Sequence, residues 1–319
     1  MSGIKCDICP NNCTLNTHGK GLCGNRLDNL GKFSAGHLDP IEKKPLYHVN
    51  PGTYTFSMGS IGCNLKCPWC QNWSISKEYK GIMDTGLKYL KSIDLLNLTL
   101  TEKVDSLTFT YNEPSISYEY VVEASALLKK NDIKTYLVSN GYISPKYLES
   151  FYQNIIAVNI DLKSFNREVY KKIIGCDLDV ILNTLKFLRD SNTWFEITTL
   201  LIPGLNDSEY EIKQLVNWVY TELGNKVPIH FSAYYPCYKY TKAERTPPES
   251  IFKAVEIARD AGLKFVYSGN ISDNRYVNTM CPECNTTLIS REGYKTKSYL
   301  ESGHCPNPLC KRPLEGVFN

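Results

Sequence analysis

The sequence predicts an α/β protein: a partial (β/α)6 TIM-like barrel with small cysteine-rich, metal-binding segments at its N- and C-terminal ends. Three observations carry this. Between residues 54 and 277, short runs rich in β-branched and aromatic residues alternate with longer segments of helical apolar spacing. That alternation is the pattern of parallel strands joined by helical crossovers. About six β/α units can be counted, short of the eight of a closed barrel, which is the structural alternative. Eleven of the 13 cysteines fall into three clusters, and the two outer clusters lie where the alternation stops.

The bulk properties are those of a soluble globular chain. Of 319 residues, 42% are hydrophobic and 22% charged. The net charge of +3 comes from 36 basic and 33 acidic residues, too small an excess to argue for nucleic acid or a membrane. No run approaches the ~18 apolar residues of a transmembrane helix. The first ten residues carry no apolar signal region, because cysteines begin at Cys6. A cytoplasmic protein is expected, whose thiols stay reduced and bind metal in preference to forming disulfides.

Residues 1–53 read as a four-cysteine metal lobe and a connector. Cys6, Cys9, Cys13 and Cys23 are interleaved with Pro10, Gly19, Gly21 and Gly24, with little apolar material to pack. In such a segment ion binding supplies folding energy. The spacing leaves zinc and an auxiliary iron–sulfur cluster both open. His18 is a loop residue, since four thiols already complete a site. Residues 26–53 form the connector, where Pro40 and Pro45 limit helix.

Residues 54–277 hold the barrel. Strands are expected over 54–60, 106–111, 133–139, 155–162, 194–202, 229–233 and 263–267. Helices are expected over 87–100, 116–130, 145–152, 180–190, 208–223 and 248–261. Pro203-Gly204-Leu205-Asn206-Asp207 reads as a turn followed by an Asp N-cap. Residues 278–319 change character. Cys281-x2-Cys284, twenty residues, then Cys305-x4-Cys310 frame a two-hairpin segment resembling a zinc ribbon, with a redox pair or free thiols as the plainer alternative.

The chemistry concentrates directly after the first strand. Gly62-Cys63-Asn64-Leu65-Lys66-Cys67-Pro68-Trp69-Cys70-Gln71-Asn72 sets three cysteines at C-x3-C-x2-C. A loop this short turns three thiolates toward one centre, and soft thiolates select iron–sulfur clusters, zinc or Cu(I). A 4Fe–4S cube held by three ligands keeps one iron open for chemistry. A zinc knuckle borrowing a distant fourth ligand is the plainer alternative, although zinc pairs commonly run C-x2-4-C and repeat. Barrel enzymes place chemistry at the carboxyl ends of strands, where this loop falls.

With Trp69 before the last cysteine, with Asp39-Pro40-Ile41-Glu42-Lys43-Lys44-Pro45-Leu46-Tyr47-His48 and Pro51-Gly52 ahead, and with Cys70-Gln71-Asn72-Trp73-Ser74-Ile75-Ser76 behind, the chain resembles the AmmeMemoRadiSam-system radical S-adenosylmethionine (SAM) enzymes over nearly its whole length. These are relatives of the pyruvate formate-lyase activating enzymes. The resemblance implies a 4Fe–4S cluster on Cys63, Cys67 and Cys70, and SAM as cofactor. It implies reductive cleavage of SAM to a 5′-deoxyadenosyl radical that abstracts hydrogen from an unidentified substrate. Asn72 matches a residue that approaches the adenosine, and Glu113 matches one that holds the SAM amino group, although Tyr111 and Asn112 stand where relatives have glycines. Ser139 and Asn140 match contacts to the ribose or carboxylate, Asp161 and Lys163 contacts to SAM or a nearby cation, and His230 a residue lining the pocket. The plainer roles are a helix N-terminus at Glu113, a tight turn at Asn140-Gly141, a rim ion pair at Asp161–Lys163 and a satisfied core histidine at His230.

The same resemblance implies an electron donor such as ferredoxin or flavodoxin, and AMMECR1-like and Memo-like partner proteins. Activation of a glycyl-radical enzyme, with a protein glycine as substrate, is the alternative within radical chemistry. From another class, a zinc-dependent RNA- or protein-binding module fits the terminal cysteine frames. The absence of basic runs counts against it.

Overall fold

The computed structural model describes residues 3–15, 19–24, 31–79 and 87–318; His18 lies outside them. Two short antiparallel strands, β1 (Lys5–Cys6) and β2 (Cys13–Thr14), open the chain and set Cys6 opposite Cys13. After β3 (Lys32–Phe33) comes β4 (Ala35–Pro40). The barrel strands follow: β5 (Tyr54–Gly59), β7 (Ser106–Phe109), β8 (Lys134–Ser139), β9 (Ala157–Asp161), β10 (Trp194–Leu201), β11 (Ile229–Ala233) and β12 (Val266–Gly269). The short β6 (Lys88–Tyr89) pairs with β3.

Between the strands run α1 (Trp73–Ser76), α2 (Ser92–Thr101), α3 (Tyr118–Lys129), α4 (Leu148–Tyr152), α5 (Leu178–Arg189), α6 (Glu209–Trp218) and α7 (Pro248–Asp260). The eight-stranded sheet has the order β12-β11-β10-β9-β8-β7-β5-β4. Every pair from β5 to β12 is parallel, and six helical crossovers join them, which is the partial barrel the sequence predicts.

Alternation of side chains along the strands separates two environments. Phe56, Met58, Leu107, Phe109, Val158, Ile160, Ile197 and Phe231 face the helices and form the main core. The inner face is polar: Thr55 bonds Thr108 (2.8 Å between hydroxyls), and Asn159, Glu196, Thr198 and His230 lie on it, all buried.

Several elements differ from expectation. The connector 26–53 contributes β4, which pairs antiparallel with β5 over its whole length. Behind β4 a 3-10 turn (Ile41–Lys43) carries the chain into the amino end of the barrel, where Ile41, Leu46 and Val49 pack with Tyr136 and Ala157. The segment is fastened there because Asn159 Nδ2 donates to Pro45 O (2.8 Å) and Asn50 Nδ2 to the Tyr136 hydroxyl (3.2 Å). The helix expected from 87 starts at Ser92, because Lys88 and Tyr89 pair with β3. The last barrel strand runs later than 263–267, at Val266–Gly269.

The C-terminal segment is a three-stranded antiparallel sheet, β13 (Thr279–Met280), β14 (Thr287–Glu292) and β15 (Lys295–Ser298). It docks through Arg291. Its guanidinium lies 4.0 Å from the Tyr47 ring centroid and donates to Tyr47 O (2.7 Å) and Val277 O (2.9 Å). His48 completes this seam: Nδ1 meets Glu315 O and Nε2 the Tyr267 hydroxyl, each at 2.7 Å. Burial pushes His48 down to about 4, so at neutral pH Nδ1–H donates to Glu315 O and Nε2 accepts from Tyr267. No described helix is long and apolar enough to cross a membrane.

Candidate active site

The loop carrying Cys63, Cys67 and Cys70 begins one residue past the end of β5 and is shaped by side chains from neighbouring strand ends. Asn112, beyond β7, accepts from Ser60 N (3.0 Å) and donates through Nδ2 to Ser60 Oγ and Gly62 O (each 2.9 Å). Asn64, within the loop, donates to Tyr142 O (2.8 Å) and accepts from Asn140 Nδ2 (2.9 Å). The same Asn140 amide lies 3.8 Å from Cys63 Sγ. Lys66 N donates to Ile174 O (2.7 Å), and Lys77 Nζ caps Leu65 O. Gly62 has φ +88°, and a Cβ there would stand 2.1 Å from Cys23 O; that carbonyl instead accepts from Cys63 N (3.2 Å).

Glu113 anchors the next layer. Its buried carboxyl accepts from Ser139 Oγ (2.9 Å), Ser115 N (3.0 Å) and Asn140 N (2.8 Å). Burial raises its pKa, and these donors oppose the rise. Glu113, Ser139 and Asn140 therefore form one chain of contacts that ends at Cys63. Asp161 and Lys163 pair at 2.9 Å. Burial works against the Lys163 charge, but Asp161 and the nearby Cys67 outweigh it and raise the pKa. Burial also pushes the Cys63 thiol up to about 12 and raises Cys67.

Asn72 is exposed and donates to Tyr111 O (2.7 Å). His230 sits away from this chain. Its Nε2 lies 2.7 Å from Glu196 Oε2, with the Tyr47 ring 4.7 Å away. Glu196 also accepts from His48 N (2.8 Å) and Tyr47 N (3.0 Å). Burial opposes ionisation of Glu196, yet His230 and the other donors hold its pKa down. Trp69 is buried edge-on against Tyr240 (5.6 Å), and Lys239 N donates to Pro68 O (3.0 Å), so the loop after β11 closes over the cysteine loop.

Sequence reasoning assigned nothing to Asn64, Tyr111 or the Asp39–Lys44 pair. Asp39 accepts from Lys43 and Lys44 (each 2.7 Å) and from the Tyr111 hydroxyl, and the Lys44 ammonium lies 4.5 Å from the Tyr111 ring centroid. Burial opposes the Asp39 charge, but these three donors hold its pKa well below the usual range. The Asp39-to-Lys44 run was a visible signal; the partner Tyr111, 72 residues away, was not.

The residues present fit a thiolate-held cluster with SAM beside it. The donor set is three thiols on one loop, with an amide donor at Cys63 and a cation at Cys67. On the inner face, Asn159 Oδ1 and Thr198 Oγ1 are buried without a protein partner and so are open to a polar ligand or water.

At the C-terminal end, Cys281, Cys284, Cys305 and Cys310 bring all four sulfurs within 4.8 Å of one another. The Cys281–Cys310 and Cys284–Cys305 pairs stand at 3.6 Å. The Thr286 hydroxyl and amide hold Cys284 down at about 6.

A parallel partial barrel with three thiols at its mouth defines a class of SAM-using metalloenzymes, and the comparisons give the family. Residues 59–216 match the model of the radical SAM superfamily. The chain is 33% identical to an uncharacterized protein of Methanocaldococcus jannaschii over 302 residues, 92% of this chain and 89% of that one. It is 24% identical to the pyruvate formate-lyase-activating enzyme of Streptococcus mutans over 170 residues, 50% of this chain and 64% of that enzyme. Among solved structures, a radical SAM methyltransferase from Sphaerobacter thermophilus shares the fold, with a TM-score of 0.52 at 14% identity, covering 68% of this chain and 66% of that one. The chain belongs to the radical SAM superfamily. It is an enzyme of SAM-dependent radical generation, a chemistry whose cofactors are a 4Fe–4S cluster and SAM.

Proposed function

We propose that Cys63, Cys67 and Cys70 ligate the cluster, that Asn72, Glu113, Ser139, Asn140, Asp161 and Lys163 build and line the SAM site, and that His230, paired with Glu196 away from the cysteine loop, supports the inner face of the barrel. The observation that carries this is the continuous chain Glu113–Asn140–Asn64, whose Asn140 amide also reaches Cys63 Sγ. It fixes the cysteine loop against two neighbouring strand ends. A 4Fe–4S cluster held by Cys63, Cys67 and Cys70 would supply one-electron reduction of SAM, whose cleavage to methionine and a 5′-deoxyadenosyl radical would provide hydrogen abstraction from a substrate.

The protein's own groups do the rest. The Asn140 amide stabilises a thiolate at Cys63. Lys163 keeps a positive charge beside Cys67 while Asp161 neutralises it toward the barrel. Trp69 and the 234–240 loop exclude water. Residues 54–277 do this chemistry, residues 1–53 and 278–319 are metal-organised supports, and the C-terminal quartet holds zinc. Four thiolates at ~2.3 Å from a tetrahedral zinc stand about 3.8 Å apart, close to the sulfur spacing there.

The test is anaerobic purification followed by reaction with SAM and dithionite. The wild type forms 5′-deoxyadenosine and methionine, and variants with Cys63→Ala, Cys67→Ala or Cys70→Ala form none. A colourless, zinc-only protein refutes the reading. Similarity to a pyruvate formate-lyase-activating enzyme favours a second reading, in which the hydrogen donor is a glycine of a partner protein. A glycyl-radical EPR signal on mixing with such a partner distinguishes it. Reduction by ferredoxin or flavodoxin, and co-purification with AMMECR1-like and Memo-like proteins, test the partners implied by the AmmeMemoRadiSam resemblance.

A further inference from the structure

We propose that Asn159 and Thr198 form a substrate subsite on the inner face of the barrel, and that it takes an uncharged group carrying a hydroxyl or amide donor. The inference rests on the proposed function and names the class of molecule from which hydrogen is taken. Strand register places the pair. Thr198 stands in register with Asp161 on one side and His230 on the other, and Asn159 with Glu196, one inward-facing position closer to the amino end. The subsite therefore adjoins Asp161, a member of the proposed SAM site.

The side chains define what can bind. Asn159 is fully buried and Thr198 is 8% exposed. Buried polar groups are normally paired, and each exception calls for a reason. Pro45 orients the Asn159 amide: its carbonyl can only accept, so Nδ2 is committed to it and Oδ1 is left over. Thr198 Oγ1 is left over as well. An amide oxygen only accepts, so the ligand must bring an N–H or O–H, and an ionised carboxylate brings none. The charges of the inner face are already committed. Asp39 pairs with Lys43 and Lys44, and Asp161 with Lys163. Glu196 is saturated by four donors, His48 N and Trp194 Nε1 on Oε1, and Tyr47 N and His230 Nε2 on Oε2. Among the described residues of this face, no carboxylate or ammonium is left to offset the desolvation of an ionic ligand.

The test uses the full chain, reconstituted anaerobically with iron and sulfide and supplied with SAM, dithionite and a probe deuterated at carbon. Glycolamide and ethylene glycol are the neutral probes, amide and hydroxyl respectively, and glycolate is the anion. One C–D bond of the probe breaks, one forms at C5′ of deoxyadenosine, and the probe radical takes a hydrogen atom from a buffer thiol. Mass spectrometry reads the deuterated fraction of the deoxyadenosine. At equal concentration this fraction is about tenfold higher with a neutral probe than with glycolate. Thr198→Val lowers it about threefold to tenfold, and Thr198→Ser restores it. Comparison of the two neutral probes separates amide from hydroxyl substrates. Equal labelling by glycolate, no effect of Thr198→Val, or unlabelled deoxyadenosine with every probe overturns the inference and leaves the proposed function standing. Absence of deoxyadenosine altogether counts against the proposed function. A second arm is independent of SAM cleavage: without probe, Thr198→Val raises Tm by a few degrees, because it removes a buried hydroxyl that has no partner. A lower Tm means that the hydroxyl is already satisfied, and overturns the inference.

Discussion

His48 ties the pH dependence of stability to the seam between the barrel and the C-terminal sheet. Its ring is fully buried between Glu315 O and the Tyr267 hydroxyl, and burial lowers its pKa from 6.5 to about 4. The folded state therefore refuses a proton that the unfolded chain accepts. Stability from this group is intact above about pH 6.5 and falls as the pH drops toward 4, because the unfolded state binds more protons across that window. At 1.36 kcal/mol per pKa unit, the full loss is about 3 kcal/mol, of which about 2 kcal/mol appears between pH 7 and pH 5. Urea unfolding of the metal-loaded protein at both pH values measures it, provided the m-value stays constant. Glu196 and the C-terminal cysteine quartet also respond to acid, so the comparison is a difference of differences against His48→Gln, which retains them. The wild type should lose about 2 kcal/mol more than His48→Gln over that interval. Equal losses in the two proteins refute the assignment of the buried neutral ring.

Other perturbations test the site. Asn140→Ala strands Asn64 Oδ1 and Tyr142 N, whose bonds to Asn140 are 2.9 and 2.8 Å. A loss of about 2–4 kcal/mol is expected in denaturant unfolding, with slower deoxyadenosine formation. Gly62→Ala meets both a left-handed φ of +88° and a carbonyl 2.1 Å from the new Cβ. It should cost more than about 2 kcal/mol and raise proteolysis of the N-terminal lobe, read by limited digestion. Cys305→Ser should release about one zinc per chain and lower Tm by several degrees, measured by metal analysis and calorimetry. An unchanged Tm would mean that the metal does not hold the C-terminal sheet in place.

Much of the barrel was legible because its strands and helices carry local patterns. Ile229–Ala233 is apolar at every second position, and α7 opens with Pro248 at its first position, a residue suited to a helix start. β4 was not legible. Ala35-Gly36-His37-Leu38-Asp39-Pro40 is poor in strand formers, and it is extended because β5 offers it a free edge. The cysteine triad was visible as spacing alone. The side chains that shape it were not, because Asn64 and Asn140 meet across 76 residues and His48 and Glu196 across 148. Burial of polar groups in such pairs depends on the closed fold, so no local window records it. His230 shows the same limit: its strand position was clear, but its partner Glu196 became apparent only with the sheet register.

The packing of Ile41, Leu46 and Val49 beneath Tyr136 has a consequence for traffic. With the floor corked, and with Tyr47, Arg291 and Tyr267 wedged into the seam by β12, a molecule bound for Asn159 or Thr198 must enter over the rim where the three thiols stand. Entrant and departing product then share one doorway, and a bulky reactant would present only its tip to the radical.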